Sequence, residues 1–566
     1  MWKWIRKLPE ERAGLLWLLL ISAFWKAGLA LSGKVINPDG MLYLQAARQI
    51  SEGRFQEAIH LTSLPLYPTL IALFHVIIPD WLWAARSISL VCTVLVLVPL
   101  YLLTRDLFDR RAAFWAGLVG ALAPPVNDWA LDVIRNPPFV LCMLWAVHFS
   151  QRALLDGKAL RFLAASALGW LAVLFRIEGI VMIPAFALFL LWAALWGGEG
   201  KRRHALKGLA LWLGLPVGIF LCLFPFLGQK ILTANRLDQV YHWARALGSG
   251  SFFESYRHIY AQMKALEAAS AFPGGKQNFA ETARHMMPLI YLLGLLRALS
   301  RVLFEPFLLP LFWAFKRPWT RGRRWVLFLL CIYLLAILAD LLKQDFLEYR
   351  FLLAPALLLY PWVGNGTARL LDRFGGMGGR GTILAWGLVL FLIIAPLGKG
   401  LKNVSGEDHA IRWAGHWFRT QGRWKKARVV TNDMRVALYA GRSDWREYDL
   451  HARGPMPDME GLERFALQAQ ADLVVVRLSR KDRRALSLFR HFTERVALFE
   501  GPKRLVVVMA PRPSPPPCSG GHDTVSSSAL KARITLLTDR NMDQCCLLYT
   551  SPSPRDLSTS RMPSSA

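Results

Sequence analysis

Asp39 stands in Asn37-Pro38-Asp39-Gly40, just beyond the first strongly apolar stretch, where a carboxylate meets a membrane surface. Two roles compete for it. An acid ahead of a helix satisfies free backbone donors as an N-cap. A carboxylate at such a surface can also take a proton from an incoming hydroxyl. Further ionisable residues recur in comparable places: Arg86, Asp128, Asp132, Arg135, Arg176, Glu178, Asp340, Lys343, Asp345, Glu348 and Arg350 all fall near the ends of apolar stretches. A charge at a helix centre in lipid costs about 2.5–3.5 kcal/mol on insertion scales, so acids and arginines gathered at one depth need a reason. Arg or Lys grips a phosphate through charge-assisted hydrogen bonds, and a nearby carboxylate serves as general base. The combination suits transfer from a phosphate-linked donor held in the membrane. For any single Arg, snorkelling to the interface is an equally good account. It is a weaker one for Phe175-Arg176-Ile177-Glu178-Gly179, where acid, base and glycine interrupt two apolar runs with almost no polar linker. There the competing reading is a simple Arg176–Glu178 pair.

The elements carrying these residues read as membrane spans. Of 566 residues 54% are hydrophobic, with 23 Trp and 32 Phe, which is too apolar and aromatic for an ordinary soluble enzyme. The net charge of +29 is not gathered on one domain or stripe, so nucleic acid is not an expected partner. The basic residues recur instead as short clusters between apolar runs, the pattern of loops retained on the cytoplasmic side. Lys3, Arg6, Lys7 and Arg12 precede the first run, Leu15 to Leu31, which places the N-terminus in the cytoplasm. Spans are expected at 14–32, 84–104, 112–127, 138–151, 162–176, 179–197, 208–228, 288–315, 325–342, 350–364 and 382–399. That makes about eleven, in a range of about ten to thirteen, with the C-terminus outside. The stretch 288–315 carries Arg297, Arg301 and Glu305 and reads also as a surface helix plus a span. No convincing cleavage site follows the first run, which is therefore read as retained. Four of the 7 cysteines (Cys92, Cys142, Cys222, Cys331) fall in spans and the others in the C-terminal tail, a distribution that implies no disulfide framework.

The fold class expected is an α-helical polytopic membrane protein with interfacial helices in its first outer loop and a small C-terminal α/β soluble domain. A transmembrane domain would occupy 1–402, with outer loops 33–83 and 229–287. In the first loop, Met41 to Ile50 has apolar positions spaced at three and four, an amphipathic surface helix. Leu66-Tyr67-Pro68 leads a second, short apolar piece through Ile78 that is half-buried or interfacial. The middle loop interleaves Tyr241, Trp243, Phe252, Phe253, Tyr256 and Tyr260 with His and Arg, fitting either a cover over a site or an interfacial belt. Over 405–510 the pattern becomes soluble, with helices expected at 410–421, 459–470 and 482–492 and strands at 428–431, 473–478 and 505–509. Residues 511–566 read as a disordered tail, and 546–566 resemble the translation of a sequencing-library adapter, which removes them from fold reasoning.

Several segments together resemble the polytopic GT-C glycosyltransferases, the protein mannosyltransferase and aminoarabinose transferase superfamily of bacteria. They are Asn37-Pro38-Asp39-Gly40 with Tyr43, Ala46 and Glu52-Gly53; Leu66-Tyr67-Pro68 with Ile71-Ala72-Leu73; Arg105 to Ala112; Arg176-Ile177-Glu178-Gly179; and Tyr349-Arg350-Phe351-Leu352 with Pro355. Trp413 to Phe418, Val429-Val430-Thr431 and Tyr439-Ala440-Gly441-Arg442 resemble the outer domain of bacterial members. The resemblance runs diffusely over about 14–510. It implies an inverting transfer of a sugar from a polyprenyl-phosphate donor to a lipid, glycan or protein acceptor at the outer face of the bacterial inner membrane, with the C-terminal domain on the periplasmic side. Asp39 then takes the place of the family's first-loop acid, a base toward the acceptor hydroxyl. Arg176 or Arg350 would stabilise the leaving phosphate, with Arg135, Glu178 and Lys343 as further binding residues and Tyr43 and Tyr67 as accessory ones. Many relatives carry a second acid at the start of the fourth span, where this chain has Ile134-Arg135-Asn136-Pro137-Pro138. Asn136 supplies no negative charge, which leaves a divalent metal open; Asp132 is a candidate substitute. Two other classes stand beside it: a transporter or flippase for a lipid-linked glycan, which also uses intramembrane charges, and a non-catalytic envelope assembly protein whose soluble domain binds a partner, a reading that Asn136 in place of an acid allows. Against the first stand the absence of an internal repeat and charges at one edge of the spans rather than at midplane. The sugar, the acceptor and the oligomeric state are not specified by these residues.

Overall fold

The structure is a computed structural model that describes residues 11–511 apart from 32, 197, 233–244, 246–247, 250–252, 270–278, 316–318, 406–408, 443, 449 and 451–457. The basic cluster Lys3/Arg6/Lys7, the aromatics Tyr241, Trp243 and Phe252, and the tail from 512 onward lie outside the described residues. The chain forms two compact units, Met1–His409 and Ala410–Ala566.

The first unit is helical because apolar chain in lipid must satisfy every backbone N–H and C=O within its own segment. Among the described residues six helices are long and apolar enough to cross a membrane: Arg12–Leu31, Trp81–Leu107, Asn136–Asp156, Ile177–Leu195, Arg321–Gln344 and Gly378–Asn403. A seventh is added if Phe279–His285 and Met287–Leu303, bent by 68°, count as one span. The protein is thus a multi-pass membrane protein. The other expected spans are also helical, though not as simple uninterrupted spans. Arg110–Leu122 has only 13 residues because Pro124 and Pro125 start a separate short helix. Ala159–Phe175 has 17 and ends at the Arg176 break. Leu353–Gly375 carries Asn365, Arg369 and Asp372 in its second half. The stretch 208–228 lies inside the 34-residue helix Glu199–Leu232. The expected span 288–315 is not continuous: the helix Met287–Leu303 stops at Phe304, whose φ of 76° no right-handed helix accommodates, and a 3₁₀ turn and the short helix Leu308–Phe312 follow.

The helix Leu353–Gly375 is buried along most of its length and packs against Arg110–Leu122. A second core gathers Phe186, Trp212 and Trp325, with ring centroids 4.8 and 4.7 Å from Phe186. The two buried indoles keep their N–H groups paired, Trp212 donating to the Ile183 carbonyl at 3.0 Å and Trp325 to Ser150 Oγ at 2.9 Å. A buried indole N–H is costly without such a partner. The first loop holds the two expected helices, Pro38–Ser51 and Leu66–Ile77, and a third between them, Phe55–Leu61.

The second unit is a five-stranded mixed sheet with helices. Its strands are β1 Val429–Thr431, β2 Arg446–Glu447, β3 Leu473–Ser479, β4 Glu494–Glu500 and β5 Arg504–Ala510, in the order β2-β1-β3-β5-β4. β1 runs parallel to β2 and β3, while β5 runs antiparallel to β3 and β4. Val474, Val476, Leu505, Val507 and Met459 share its core. The sequence pattern missed β4, whose residues are largely half-buried, and the helix expected at 482–492 is a 3₁₀ segment, Arg480–Leu488.

Candidate active site

The first-loop acid is positioned by its neighbours rather than serving as the cap itself. Asn37 is the N-cap of Pro38–Ser51, its Oδ1 accepting the Gly40 N–H at 2.8 Å. Pro38 opens the helix without an N–H to satisfy. The capping role that competed for Asp39 is therefore taken, and Asp39 lies in the first turn with its carboxylate available. The turn is clamped from the side. Asp132 Oδ1 accepts the N–H groups of Asn37 at 3.0 Å and Val133 at 2.8 Å. Gly40 makes the approach feasible, since a Cβ there would sit 3.1 Å from Val133 Cβ and 3.3 Å from its carbonyl oxygen. Asp132 thus serves as a backbone clamp, which argues against its standing in for a second acid.

One helical turn on, Tyr43 is buried, its ring edge-on to Tyr67 with centroids 5.3 Å apart, and the Arg135 guanidinium carbon lies 5.3 Å from the Tyr43 ring centre. Burial pushes the Tyr43 phenol above its ordinary pKa; Arg135, Arg176 and Arg350 oppose the shift and Asp39 adds to it. Tyr43 is therefore a neutral hydroxyl beside these charges. Tyr67 is fully buried and forms the floor under Tyr43.

Asp39 Oδ2 accepts a hydrogen bond from Arg350 Nη1 at 2.8 Å, and Arg350 Nη2 donates to Glu348 Oε1 at 3.1 Å. Arg350 lies in the 3₁₀ turn Tyr349–Leu352 that precedes the buried helix Leu353–Gly375. The Arg176 pair arises at the break between two apolar helices. The Arg176 N–H still closes the preceding helix onto the Ala172 carbonyl at 2.9 Å, but its backbone is extended. Gly179 lets the chain fold back tightly, because a Cβ there would come 2.9 Å from the Val173 backbone nitrogen. Arg176 is buried and grips Glu178 with two nitrogens, Nε at 3.1 Å and Nη2 in close contact, while Nη1 donates to Asn136 Oδ1. The pairing that competed with a substrate role for Glu178 is the one observed, so Glu178 orients Arg176.

The two arginine systems meet at Phe351, with the Arg176 guanidinium carbon 5.7 Å and that of Arg350 5.8 Å from the ring centre. Asp39, Arg350, Arg176, Glu178 and Asn136 thereby form one connected cluster. Lys343 occupies the last turn of Arg321–Gln344, and Asp340, one turn earlier, lies within electrostatic reach of Lys343, Glu178 and Glu348. Three neighbours were not singled out from sequence as site residues: Glu348, Phe351 and Tyr333. Phe351 lies in the segment that carried the resemblance, and Glu348 just before it. Tyr333 lies inside an apolar helix and had no signal in the sequence.

As a metal centre the donor set fits poorly. Asp39 and Glu348 face Arg350, Glu178 and Asn136 Oδ1 face Arg176, and Asp132 holds backbone amides. Among the described residues no three His, Cys, Asp or Glu side chains gather to hold an ion. What the cluster offers is a half-exposed carboxylate beside two guanidiniums, suited to accepting a proton and binding an anion.

Comparison with known proteins agrees with the sequence resemblance. Residues 63–227 match the family model described as dolichyl-phosphate-mannose-protein mannosyltransferase, a segment that contains Tyr67, Arg135, Asn136, Arg176 and Glu178. No curated protein matches the chain. Among solved structures, the chain is similar to the oligosaccharyltransferase of Archaeoglobus fulgidus in complex with Zn and sulfate, with 15% identity, 81% of this chain and 67% of that one covered, and a TM-score of 0.49. It is also similar to ArnT from Cupriavidus metallidurans bound to undecaprenyl phosphate, with 13% identity, 87% and 97% covered, and a TM-score of 0.46. The family match over residues 63–227 bears out the resemblance to GT-C glycosyltransferases within the helical unit.

Proposed function

We propose that this chain is an inverting glycosyltransferase that moves a sugar from a polyprenyl-phosphate donor to a lipid, glycan or protein acceptor at the outer face of the bacterial inner membrane. The observation that carries the reading is the join of Asp39 to Arg350, with Arg176 on Phe351 beside it. In a single displacement the acceptor hydroxyl oxygen bonds to the anomeric carbon, and the bond from that carbon to the phosphate oxygen breaks. The hydroxyl proton passes to Asp39, and the bonding pair leaves with the polyprenyl phosphate. Arg350 and Arg176 face the charge that develops on the leaving oxygen, where preorganised donors contribute most. Arg350 also holds the Asp39 carboxylate in place through the hydrogen bond from Nη1 to Oδ2. Lys343 and Arg135 add positive potential for the anionic donor, with Tyr43 as a neutral hydroxyl at its edge. The basic clusters support a cytoplasmic N-terminus, which in this reading puts the domain at 405–510 on the periplasmic side and the chemistry in residues 1–402.

The test is turnover. Purified full-length protein is incubated with a panel of undecaprenyl-phosphate-linked hexoses and pentoses, and released undecaprenyl phosphate is measured in the presence of membrane lipid, glycan and peptide acceptors. Release with at least one donor is expected. Donor binding without release across the whole panel would sink the reading.

A further inference from the structure

Asn136 begins the helix Asn136–Asp156 and is followed by Pro137 and Pro138, which have no N–H to cap. Its side chain is therefore not consumed by the helix start, and Oδ1 turns to Arg176 Nη1 instead. That contact fixes the amide orientation, because a guanidinium has only donors and must face the oxygen. The amide nitrogen is left over. Asn136 is 1% exposed, and its Nδ2 is buried without a hydrogen-bond partner among the described residues. A second group shares this condition. The hydroxyl of Tyr333, 2% exposed, is buried without a partner and lies within electrostatic reach of Glu178. The helix that carries Tyr333 packs against both Asn136–Asp156 and the turn Ile177–Val181, so the two unmet donors flank the same Arg176–Glu178 pair. Leaving a buried donor unsatisfied costs about 1–3 kcal/mol, a cost that an acceptor atom entering from outside would remove.

Resting on the transferase reading above, we infer that Asn136 Nδ2 and the Tyr333 hydroxyl form, with Arg176, a niche for a phosphate oxygen of the polyprenyl donor. Asn136 is then a specificity-determining residue. An aspartate in its place would present only acceptors, neutralise Arg176 a second time and repel the anion. The neutral amide instead holds Arg176 by its oxygen and offers its nitrogen to the ligand.

The experiment titrates undecaprenyl phosphate, undecaprenol and inorganic phosphate into full-length parent, Asn136→Asp, Asn136→Ala and Tyr333→Phe in detergent, with EDTA present. Ligand-free melting temperatures are recorded alongside. Asn136→Asp is expected to weaken undecaprenyl phosphate binding by about tenfold or more, and Asn136→Ala and Tyr333→Phe by about fivefold each, while undecaprenol binding stays unchanged. Ligand-free melting of Tyr333→Phe should equal or exceed that of the parent, since an unmet polar group has been removed; a purely structural hydroxyl would lower it. Parent-like phosphate affinity in all three variants overturns the inference and leaves the transferase reading standing. Inorganic phosphate showing the same variant dependence at the same concentrations overturns the lipid assignment. A parent that binds no undecaprenyl phosphate overturns the transferase reading and the inference with it.

Discussion

Replacing Arg350 with Ala separates a catalytic from a structural role, because the two predict effects of different size. Arg350 joins Asp39 at 2.8 Å and Glu348 at 3.1 Å, and its side chain is 36% exposed against 42% for Asp39. Exposed pairs of this kind stabilise a fold by about 0.2–1 kcal/mol after solvent screening, so the melting temperature should move by only a few degrees. Loss of a preorganised donor facing a developing oxyanion costs about 2.7–4 kcal/mol, or about 10²–10³ in turnover. Arg350→Lys should fall between, keeping the charge while losing the two-pronged fork that spans Asp39 and Glu348. The assay is undecaprenyl phosphate release with the best donor of the panel, run beside thermal unfolding of each variant. Turnover of a folded Arg350→Ala protein within about threefold of the parent would refute the reasoning, because a donor facing the developing oxyanion is worth about 10²–10³ in turnover.

Other outcomes follow from the same geometry. Glu178→Ala leaves the buried Arg176 with Asn136 alone and should destabilise the protein by about 3 kcal/mol, seen as a lowered melting temperature, whereas Glu178→Gln should cost less. Gly179→Ala puts a Cβ 2.9 Å from the Val173 nitrogen and 3.0 Å from the Ala172 carbonyl carbon; backbone must shift, so about 1–3 kcal/mol of stability should be lost together with turnover. An unchanged melting curve would contradict the tight fold-back at this turn. In the C-terminal unit, burial and the neighbours Arg412 and Arg419 hold His416 below its ordinary pKa. The folded state therefore prefers neutral imidazole, and this contribution to stability is present above about pH 6.5 and lost as pH falls through that value toward the lower folded pKa. The unit should melt lower at pH 5 than at pH 7.5, by a margin that shrinks in His416→Gln; an undiminished margin assigns the effect elsewhere.

The chemistry-bearing residues were legible because charge at the edge of apolar helices is costly and therefore conspicuous. Asp39, Arg176, Glu178 and Arg350 could each be picked from sequence, and they form one cluster. Their pairing was not legible, since Asp39 and Arg350 are joined only by the packing of distant helices. Capping was one of the two roles open to Asp39, but Pro38 opens the helix and so makes the residue before it, Asn37, the cap. Tyr333 could not be found, as a lone Tyr within an apolar helix looks like core. Long spans such as Arg321–Gln344 were predictable from length and apolarity, while Arg110–Leu122 and the break at Phe304 depend on proline placement and one left-handed residue. In the second unit, β4 escaped because its half-buried residues lack a clean alternation.

The central claim is that Asp39 receives the acceptor proton, and Asp39→Asn tests it with almost no change in shape. Turnover of the panel donor should fall by about 10²–10⁴, since a general base contributes that much, while undecaprenyl phosphate binding stays within about threefold of the parent because Arg176 and Arg350 remain. Equal, non-zero turnover by Asp39→Asn and the parent would contradict the account.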